Sequence, residues 1–261
     1  MLDSLRGGCY IFRKEITYAK DQKMNDKCQF HRILLKLSGE ALKGDSATPY
    51  SEEAIKAIVE RVRIILEEGV EVAIVVGAGN LWRGATRGSG MDRVNADYMG
   101  MLGTVMNALN LKEHFHMAGI PAMVQCSVGM EPIAPKFNRE QAMKALEAGQ
   151  VVIFGGGTGS PYFTTDTTSV LRALETDCDA VIKATKVDGV YSADPKKDPN
   201  AVRYAELSFD EALAQHLKIL DSTAFTMCRD NDLPIIVFNF NDTDAFRRVL
   251  RGDTEAGTII S

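Results

Sequence analysis

The sequence has no excess of basic residues and no long apolar run. Its 261 residues carry 30 Lys and Arg against 35 Asp and Glu, a net charge of −5, so no global positive field is available to hold a nucleic-acid backbone. The longest run without a charged residue, Ala148 to Thr165, contains five glycines and a proline, which no membrane-spanning helix would carry. We therefore expect neither a nucleic-acid partner nor a membrane partner.

Cysteine and histidine are sparse, and neither forms a recognisable cluster. His114 and His116 are two residues apart, so on a helix they would point to different sides rather than at one metal ion. The cysteines are widely spaced and odd in number, without a C-x-x-C pair: Cys9, Cys28, Cys126, Cys178 and Cys228. This pattern predicts a protein of the reducing cytoplasm, without a disulfide framework or a metal site built from side chains.

The first 30 residues differ from the rest of the chain. Six basic and four acidic side chains are scattered over residues 1–30, and the longest uncharged stretch, Gly7 to Phe12, is too short for a signal peptide. We expect an N-terminal extension that is poorly ordered or that precedes the true start at Met24. A single domain over residues 31–261 should follow.

From His31 onward, short β-rich runs alternate with helical periodicity. This alternation predicts an α/β fold with an open, mostly parallel sheet sandwiched between helices in three layers. Strands are predicted at 33–37, 70–76, 120–126, 150–154, 180–184 and 234–239. One helix should begin after Ser51 and end before Gly69, and others are predicted at 92–117, 139–148, 167–176, 209–215, 222–231 and 245–250. Val187-Asp188-Gly189-Val190 predicts a hairpin with a type I′ turn.

Three of the predicted strands end in glycine-rich segments. These are Lys36-Leu37-Ser38-Gly39, Gly77-Ala78-Gly79-Asn80 and the stretch from Gly155 to Ser160. One such cluster is ordinarily a tight turn, but three at the same edge of a parallel sheet indicate a phosphate site, because glycine lets backbone N–H groups approach an anion. Neither the P-loop signature nor a Rossmann glycine fingerprint after the first strand is present, which disfavours both of those folds.

Two lysines lie near the ends of apolar strands. An ammonium group buried without a partner is costly, so Lys36 and Lys183 should each meet an anion. For Lys36 that anion could be a structural carboxylate, with Asp166 as the candidate. It could equally be a transferring phosphoryl group, with the carboxylate positioning the lysine.

Five segments resemble one family. Lys36 to Ala41, Gly77 to Gly84, Asp92 to Met101, Thr158 to Asp166 and Lys183 to Pro195 are similar, in the same order, to the bacterial uridine monophosphate kinases of the amino acid kinase superfamily. The resemblance runs from about Arg32 to the C-terminus. Lys-Leu-Ser-Gly alone indicates only the superfamily, whereas Met-Gly-Met and Lys-Ala-Thr-Lys-Val-Asp-Gly-Val-Tyr are typical of the uridylate enzymes.

The resemblance implies transfer of the γ-phosphoryl group of ATP to UMP, giving UDP and ADP in pyrimidine nucleotide biosynthesis, with Mg²⁺ held mainly by the phosphates. It implies a catalytic group of Lys36, Arg83, Asp166 and Lys183. The implied ATP site comprises Lys36, Leu37, Ser38, Gly39, Gly79, Arg83, Thr185, Tyr191 and Asp194. The implied UMP site comprises Ala78, Asp97, Thr158, Gly159, Ser160, Pro161, Tyr162, Phe163, Thr164 and Thr165.

Two residues depart from the family pattern. Ala78 replaces a customary glycine, and Ser160 replaces a customary asparagine, so we expect these two changes to bear on affinity for the acceptor rather than on activity. The implied mechanism needs no general base, because the acceptor phosphate has a second pKa of about 6 and is already a nucleophile at neutral pH.

Two other interpretations of the function stay open. The chain could be an aspartate, glutamate or carbamate kinase of the same superfamily, against which Asp97 and the segment Thr158 to Thr165 argue. It could also be a nucleotide-sensing regulator that binds without transfer, against which Lys36, Asp166 and Lys183 argue.

The resemblance further implies a homohexamer that is activated by GTP and inhibited by UTP. A methionine-rich helix could pack against a neighbouring subunit or within the chain through Met99, Met101, Leu102, Val105 and Met106. The segment from Gly129 to Gln141 departs from the family pattern and contains a single arginine, Arg139, which bears on the expected activation by GTP.

Overall fold

The computed structural model describes residues 28–82, 90–195 and 197–261. The expectations for Arg83 and for the start of the chain up to residue 27 lie outside these residues. Cys28, Gln29 and Phe30, at the end of the predicted extension, belong to the folded body. Phe30 is buried, and the backbone N–H of Gln29 donates to the carbonyl of Leu250 at 3.0 Å.

An open sheet forms the centre of the protein. Its strands, within the described residues, are β1 (Arg32–Leu37), β2 (Glu71–Val76), β3 (Ala122–Cys126), β4 (Val151–Gly155), β5 (Ala180–Thr185), β8 (Glu206–Leu207), β9 (Ile235–Asn239) and β10 (Thr258–Ile260). They pair in the order β3-β4-β2-β1-β5-β9-β10-β8, and only the β9–β10 pair is antiparallel. The first six strands in this order therefore end at one edge, where ligands bind in sheets of this kind.

Helices cover both faces of the sheet. They are α1 (Gly39–Lys43), α2 (Glu52–Glu67), α3 (Arg93–Met117), α4 (Arg139–Glu147), α5 (Thr165–Glu175), α6 (Phe209–Ala214), α7 (Ser222–Asp230) and α8 (Thr243–Leu250), in the part of the chain that is described. The apolar sides of α2, α3 and α8 pack on one face, and those of α4, α5, α6 and α7 on the other. The three-layer α/β/α prediction is confirmed.

The alternation of side chains along β1 explains why the sheet is buried on both sides. Ile33, Leu35 and Leu37 belong to the core beneath α2 and α3, whereas Leu34 belongs to the core beneath α5. Successive side chains of a strand point to opposite faces, so a continuous apolar run suits a strand covered on both sides. Lys36 shares the face of Leu34 and therefore points toward α5.

Most boundaries predicted from the sequence are correct to within two residues. Ser51 caps α2 as predicted, accepting the backbone N–H of Ala54 at 3.2 Å. The predicted helix at 167–176 begins two residues earlier, because Thr164 provides the N-cap by accepting the backbone N–H groups of Asp166 and Thr167. None of the helices in the described ranges is long and apolar enough to cross a membrane.

The hairpin predicted at Val187-Asp188-Gly189-Val190 is wrong. Neither Asp188 nor Gly189 adopts the left-handed backbone that a type I′ turn requires. The Thr185 hydroxyl instead accepts the backbone N–H of Val187 at 3.2 Å, which closes a local turn. The following strand, β6 (Val190–Tyr191), pairs antiparallel with β7 (Arg203–Tyr204) in a small separate sheet.

Candidate active site

Two lysines and one carboxylate meet where β1 and β5 end. Lys36 and Lys183 face each other in the register of these parallel strands, so their side chains leave the same face of the sheet. Asp166, in the first turn of α5, lies between them. Its Oδ1 is 2.7 Å from Lys36 Nζ, and its Oδ2 is 3.4 Å from Lys183 Nζ. The anion that the sequence requires for both lysines is thus one shared carboxylate.

Burial and the charges of this cluster together shift two of its pKa values. Burial alone would raise the pKa of the Asp166 carboxyl, but the ammonium groups of Lys36 and Lys183 outweigh burial and hold that pKa below its usual range. Burial lowers the pKa of Lys183, and Asp166 opposes this effect only in part. The cluster carries two positive charges against one negative charge, which suits the binding of a further anion.

The N-terminus of α5 is fastened to α7. Asp221, the N-cap of α7, accepts the hydroxyl of Thr167 at 3.0 Å and the hydroxyl of Thr164, and it also caps the backbone N–H of Ala224 at 2.9 Å. Lys183 Nζ donates to the carbonyl of Ile219 at 2.5 Å, two residues before Asp221. The segment from Ile219 to Asp221, which leads into α7, therefore contacts both Lys183 and the N-terminus of α5, the helix that carries Asp166.

Two glycine-rich strand ends are in direct contact beside the lysines. A Cβ atom on Gly39 would lie 2.4 Å from Asn80 Oδ1 and 2.6 Å from the backbone nitrogen of Gly79, so only glycine fits there. The Asn80 side chain is fixed by a reciprocal pair of amide hydrogen bonds with the buried Asn107 of α3, at 2.8 and 3.1 Å. Asn107 also donates to the carbonyl of Gly77 at 2.7 Å.

A cleft of about 240 Å³ opens beside this cluster. Six of the residues predicted for the UMP site line it: Ala78, Asp97, Thr158, Phe163, Thr164 and Thr165. Gly159, Ser160, Pro161 and Tyr162 do not line the cleft, although they belong to the same loop. The cleft wall also includes residues that the sequence analysis did not assign to the UMP site: Trp82, Arg93, Ala96, Gly100, Met101, Thr104 and Gly157.

Asp97 links the helix α3 to the loop before α5. Its two carboxylate oxygens accept Arg93 Nε at 2.9 and 3.0 Å, and Oδ2 also accepts the backbone N–H of Tyr162 at 2.8 Å. Tyr162 has a φ of 73°, which is unfavourable for a bulky residue. The Arg93 guanidinium carbon lies 5.2 Å from the centre of the Tyr162 ring. Asp97 thus stabilises a strained turn as well as lining the cleft.

The residues predicted to hold adenosine lie elsewhere, on the segment that follows β5. The Tyr191 hydroxyl donates to Asp188 Oδ1 at 2.8 Å, and this hydrogen bond raises the Tyr191 pKa. The carbonyl of Asp194 accepts the backbone N–H groups of Lys197 and Asp198. The Thr185 hydroxyl lies 2.6 Å from the carbonyl oxygen of Val187 and 3.0 Å from that of Phe238, and its one proton can be donated to either. None of the three lines the cleft, and their assignment to ATP stays a prediction.

Comparison with known proteins agrees with this geometry. The model of the amino acid kinase family matches residues 31–239. The chain belongs to the amino acid kinase family. A UMP kinase from Bacillus anthracis is 36% identical, with a TM-score of 0.86 over 89% of this chain and 96% of that chain.

Two further solved structures are similar to this chain over most of their length. A UMP kinase from Ureaplasma parvum is 36% identical, with a TM-score of 0.82 over 88% of this chain and 98% of that chain. A uridylate kinase from Archaeoglobus fulgidus is 27% identical, with a TM-score of 0.66 over 88% of this chain and 99% of that chain. The family that the sequence motifs predict is therefore confirmed.

Ala78, which departs from the family pattern, has a specific neighbour. A Cβ atom added to Gly103 of α3 would lie 2.9 Å from the Ala78 methyl group, closer than two such carbons can approach. The missing side chain at position 103 therefore makes room for the additional methyl group at position 78. The methyl group contacts the helix behind the loop, although Ala78 also lines the cleft.

Proposed function

We propose that this chain is a UMP kinase that transfers the γ-phosphoryl group of ATP to the phosphate of UMP. The observation that carries this proposal is the position of the Lys36–Asp166–Lys183 cluster. Asp166 of this cluster directly follows Thr165, which lines the cleft. Two glycine-rich strand ends that contact each other lie beside the cleft. The lysines neutralise charge on the transferring phosphoryl group, and Asp166 positions them.

The cleft suits a nucleotide acceptor. Asp97 repels an anionic group but accepts hydrogen bonds from sugar hydroxyls, and Trp82 and Phe163 supply aromatic surface for a base. Arg93 adds a positive charge to the wall. A carboxylic amino acid would leave the aromatic surface of the cleft without a partner, so the wall favours UMP over the acceptors of the amino acid and carbamate kinases.

The proposed reaction is a direct in-line displacement. The acceptor phosphate has a second pKa of about 6, so it is a dianion at neutral pH and needs no general base. An oxygen of the acceptor phosphate attacks the γ-phosphorus of ATP. The bond between the γ-phosphorus and the β–γ bridging oxygen breaks, and ADP leaves with the electron pair of that bond. The two lysines and the glycine-rich loops hold both polyanions in line.

We assign Mg²⁺ to the phosphates rather than to a protein cage. Within the described residues, no three His, Cys, Asp or Glu side chains are grouped so as to hold a metal ion, and Asp166 is already paired with two lysines. The described side chains of the site therefore fit a cation that is held by the phosphates of ATP and arrives with them. When bound, Mg²⁺ supplies neutralisation of the phosphate charge.

We also propose how the chain assembles and how it is regulated. Met99, Leu102 and Met106 of α3 are each more than 40% exposed and form an apolar face for subunit contacts in a homohexamer, whereas Met101 and Val105 belong to the chain's own core. Activation by GTP, inhibition by UTP and a role in pyrimidine biosynthesis follow only from the resemblance. The four cysteines in the described residues are free thiols, which suits the cytoplasm.

The direct test is product analysis. Purified protein incubated with ATP, Mg²⁺ and UMP should form UDP and ADP in equal amounts, separated by anion-exchange chromatography. The Lys36→Ala variant serves as the control for a contaminating kinase. Hydrolysis of ATP without UDP, or UDP formation that is the same in the variant, would contradict the proposal.

A further inference from the structure

Within the described residues, two arginines are buried outside the lysine cluster, Arg32 and Arg172, and Arg172 lies on the helix that carries Asp166. Arg172, on the side of α5 that faces the core, is 5% exposed. Its guanidinium carbon lies 3.9 Å from the centre of the Phe137 ring and 5.8 Å from that of Phe154, and it pairs with the Glu175 carboxylate. Burying an arginine is costly unless its donors are satisfied, so its remaining hydrogen bond is informative.

That hydrogen bond leads to the cleft. Arg172 Nη2 donates to Ser127 Oγ at 2.8 Å, and Ser127 Oγ donates to the carbonyl of Gly157 at 2.5 Å. A hydroxyl has a single proton, so when its oxygen accepts from the guanidinium the proton is available for the Gly157 carbonyl. Arg172 thus sets the direction in which Ser127 donates. Gly157 and its neighbour Thr158 both line the cleft.

Ser127 is also the point around which the glycine loop bends. Its backbone N–H donates to the carbonyl of Gly155 at 3.1 Å. A Cβ atom on Gly159 would lie 3.2 Å from Ser127 Cβ, and one on Gly156 would lie 3.1 Å from the Ser127 backbone nitrogen. Gly156, Gly157 and Gly159 all have positive φ angles, of 77°, 57° and 81°. A loop of such glycines has little stiffness of its own, so its shape depends on the residue it surrounds.

We propose that Arg172 and Ser127 are positioning residues for the acceptor cleft, fixing the loop from Gly155 to Ser160 through the Gly157 carbonyl. The proposal rests on the proposed UMP kinase function. Neither residue touches the lysine cluster or lines the cleft, so both act through the loop. Their loss should weaken UMP binding while leaving ATP binding and the transfer step nearly unchanged.

Ser127→Ala is the decisive variant, because it removes one oxygen atom and leaves the aromatic contacts of Arg172 intact. We expect the KM for UMP to rise about tenfold, with kcat and the KM for ATP close to those of the parent chain. Arg172→Lys keeps the charge but lacks the planar fork and should raise the KM for UMP similarly. The double variant should be no worse than Arg172→Lys alone, because the arginine acts through the serine.

Arg139→Ala is the matched control. It is assayed without GTP, because Arg139 lies in the segment from Gly129 to Gln141 that bears on the expected activation by GTP. Arg139 joins α4 to the end of α5, donating to the carbonyl of Glu175 at 2.6 Å and pairing with Asp177, so its loss removes an arginine contact to the same helix without reaching Ser127. Its KM for UMP should be that of the parent chain. If Ser127→Ala lowers the thermal midpoint but leaves the KM for UMP unchanged, Arg172 and Ser127 are purely structural and the proposal is overturned.

Hydrogen exchange separates this proposal from the proposed function. Amides of residues 156–160 should exchange faster in Ser127→Ala than in the parent chain, while those of β4 from Val151 to Phe154 should be unchanged. Unchanged exchange throughout would contradict the positioning role, whatever the enzyme assay shows. Faster exchange in a chain that does not phosphorylate UMP would support the positioning of the loop and refute the function.

Discussion

Lys36 and Lys183 lie side by side on neighbouring parallel strands and share one carboxylate, Asp166. Two half-buried ammonium groups on one face of a sheet would repel each other without that carboxylate. With it, the cluster keeps one surplus positive charge at the edge of the sheet where the glycine-rich loops converge. This arrangement accounts for the stability of the cluster, and its surplus positive charge suits the phosphates that we propose it binds.

Lys36→Ala should reduce kcat by about 10²-fold or more, because it removes a charge that matters most while the phosphoryl group lies between its two oxygens. Asp166 retains Lys183 as a partner, so the fold should persist. Lys144→Ala, at an exposed lysine of α4, is the control and should leave kcat unchanged. A near-normal kcat in Lys36→Ala would remove this lysine from the mechanism.

Asp166→Asn should destabilise the protein in a pH-dependent manner. The folded pKa of Asp166 lies below its ordinary value of 3.8, so its contribution to stability is complete above about pH 4 and is lost as the pH falls through the folded pKa. At neutral pH the loss should be about 3–5 kcal/mol.

Urea unfolding of the parent chain and of Asp166→Asn, followed between pH 7 and pH 3, measures this effect. The difference in the free energy of unfolding should be constant at the upper end and shrink below pH 4. Asp177→Asn, at an exposed carboxylate paired with Arg139, should cost under about 1 kcal/mol. A small or pH-independent difference for Asp166→Asn would show that the ion pairs contribute little.

Asp97→Ala should weaken UMP selectively. It removes the acceptor of the Tyr162 N–H and the partner of Arg93 in the cleft wall, so the KM for UMP should rise about ten- to a hundredfold while the KM for ATP stays unchanged. Asp92→Ala is the control, since Asp92 caps the same helix and lies outside the cleft wall. Equal weakening of both substrates would show that Asp97 is structural.

Gly103→Ala should destabilise the protein, contrary to the usual effect of this change within a helix. Alanine ordinarily stabilises a helix interior by about 0.5–1 kcal/mol over glycine, but here its methyl group would meet that of Ala78 at 2.9 Å. In an Ala78→Gly background the same change should stabilise. Thermal unfolding of the two single variants and the double variant measures the coupling, and additive effects would refute the contact.

The sequence predicts the fold well because the signals for it are local. The apolar run of β2 and the Ser51 cap of α2 each identify an element without knowledge of its neighbours. The hairpin predicted after Thr185 is wrong, because Asp-Gly favours a tight turn only when the next strand pairs with the preceding one. Here β6 pairs instead with β7, more than ten residues further on.

The site was predictable only in part. Lys36 was identifiable as a charge in an apolar strand, and its pairing with Asp166 was proposed from the sequence. Asp221 reads in the sequence as an ordinary N-cap, and Arg172 as one more polar residue of an amphipathic helix. Asp221 contacts Thr167 of α5, and Arg172 contacts Ser127. Both contacts depend on tertiary packing, which a local sequence pattern does not predict.

The most direct test of the proposed phosphoryl transfer is an ADP-release assay across a panel of acceptors. The panel should contain UMP, CMP, other nucleoside monophosphates, aspartate, glutamate and carbamate, each with ATP and Mg²⁺. We predict that ADP release is fastest with UMP, absent with the carboxylic and carbamate acceptors, and about 10²-fold slower or more in Lys36→Ala. ADP release with aspartate, glutamate or carbamate and not with UMP would contradict this, as would tight UMP binding without any ADP release.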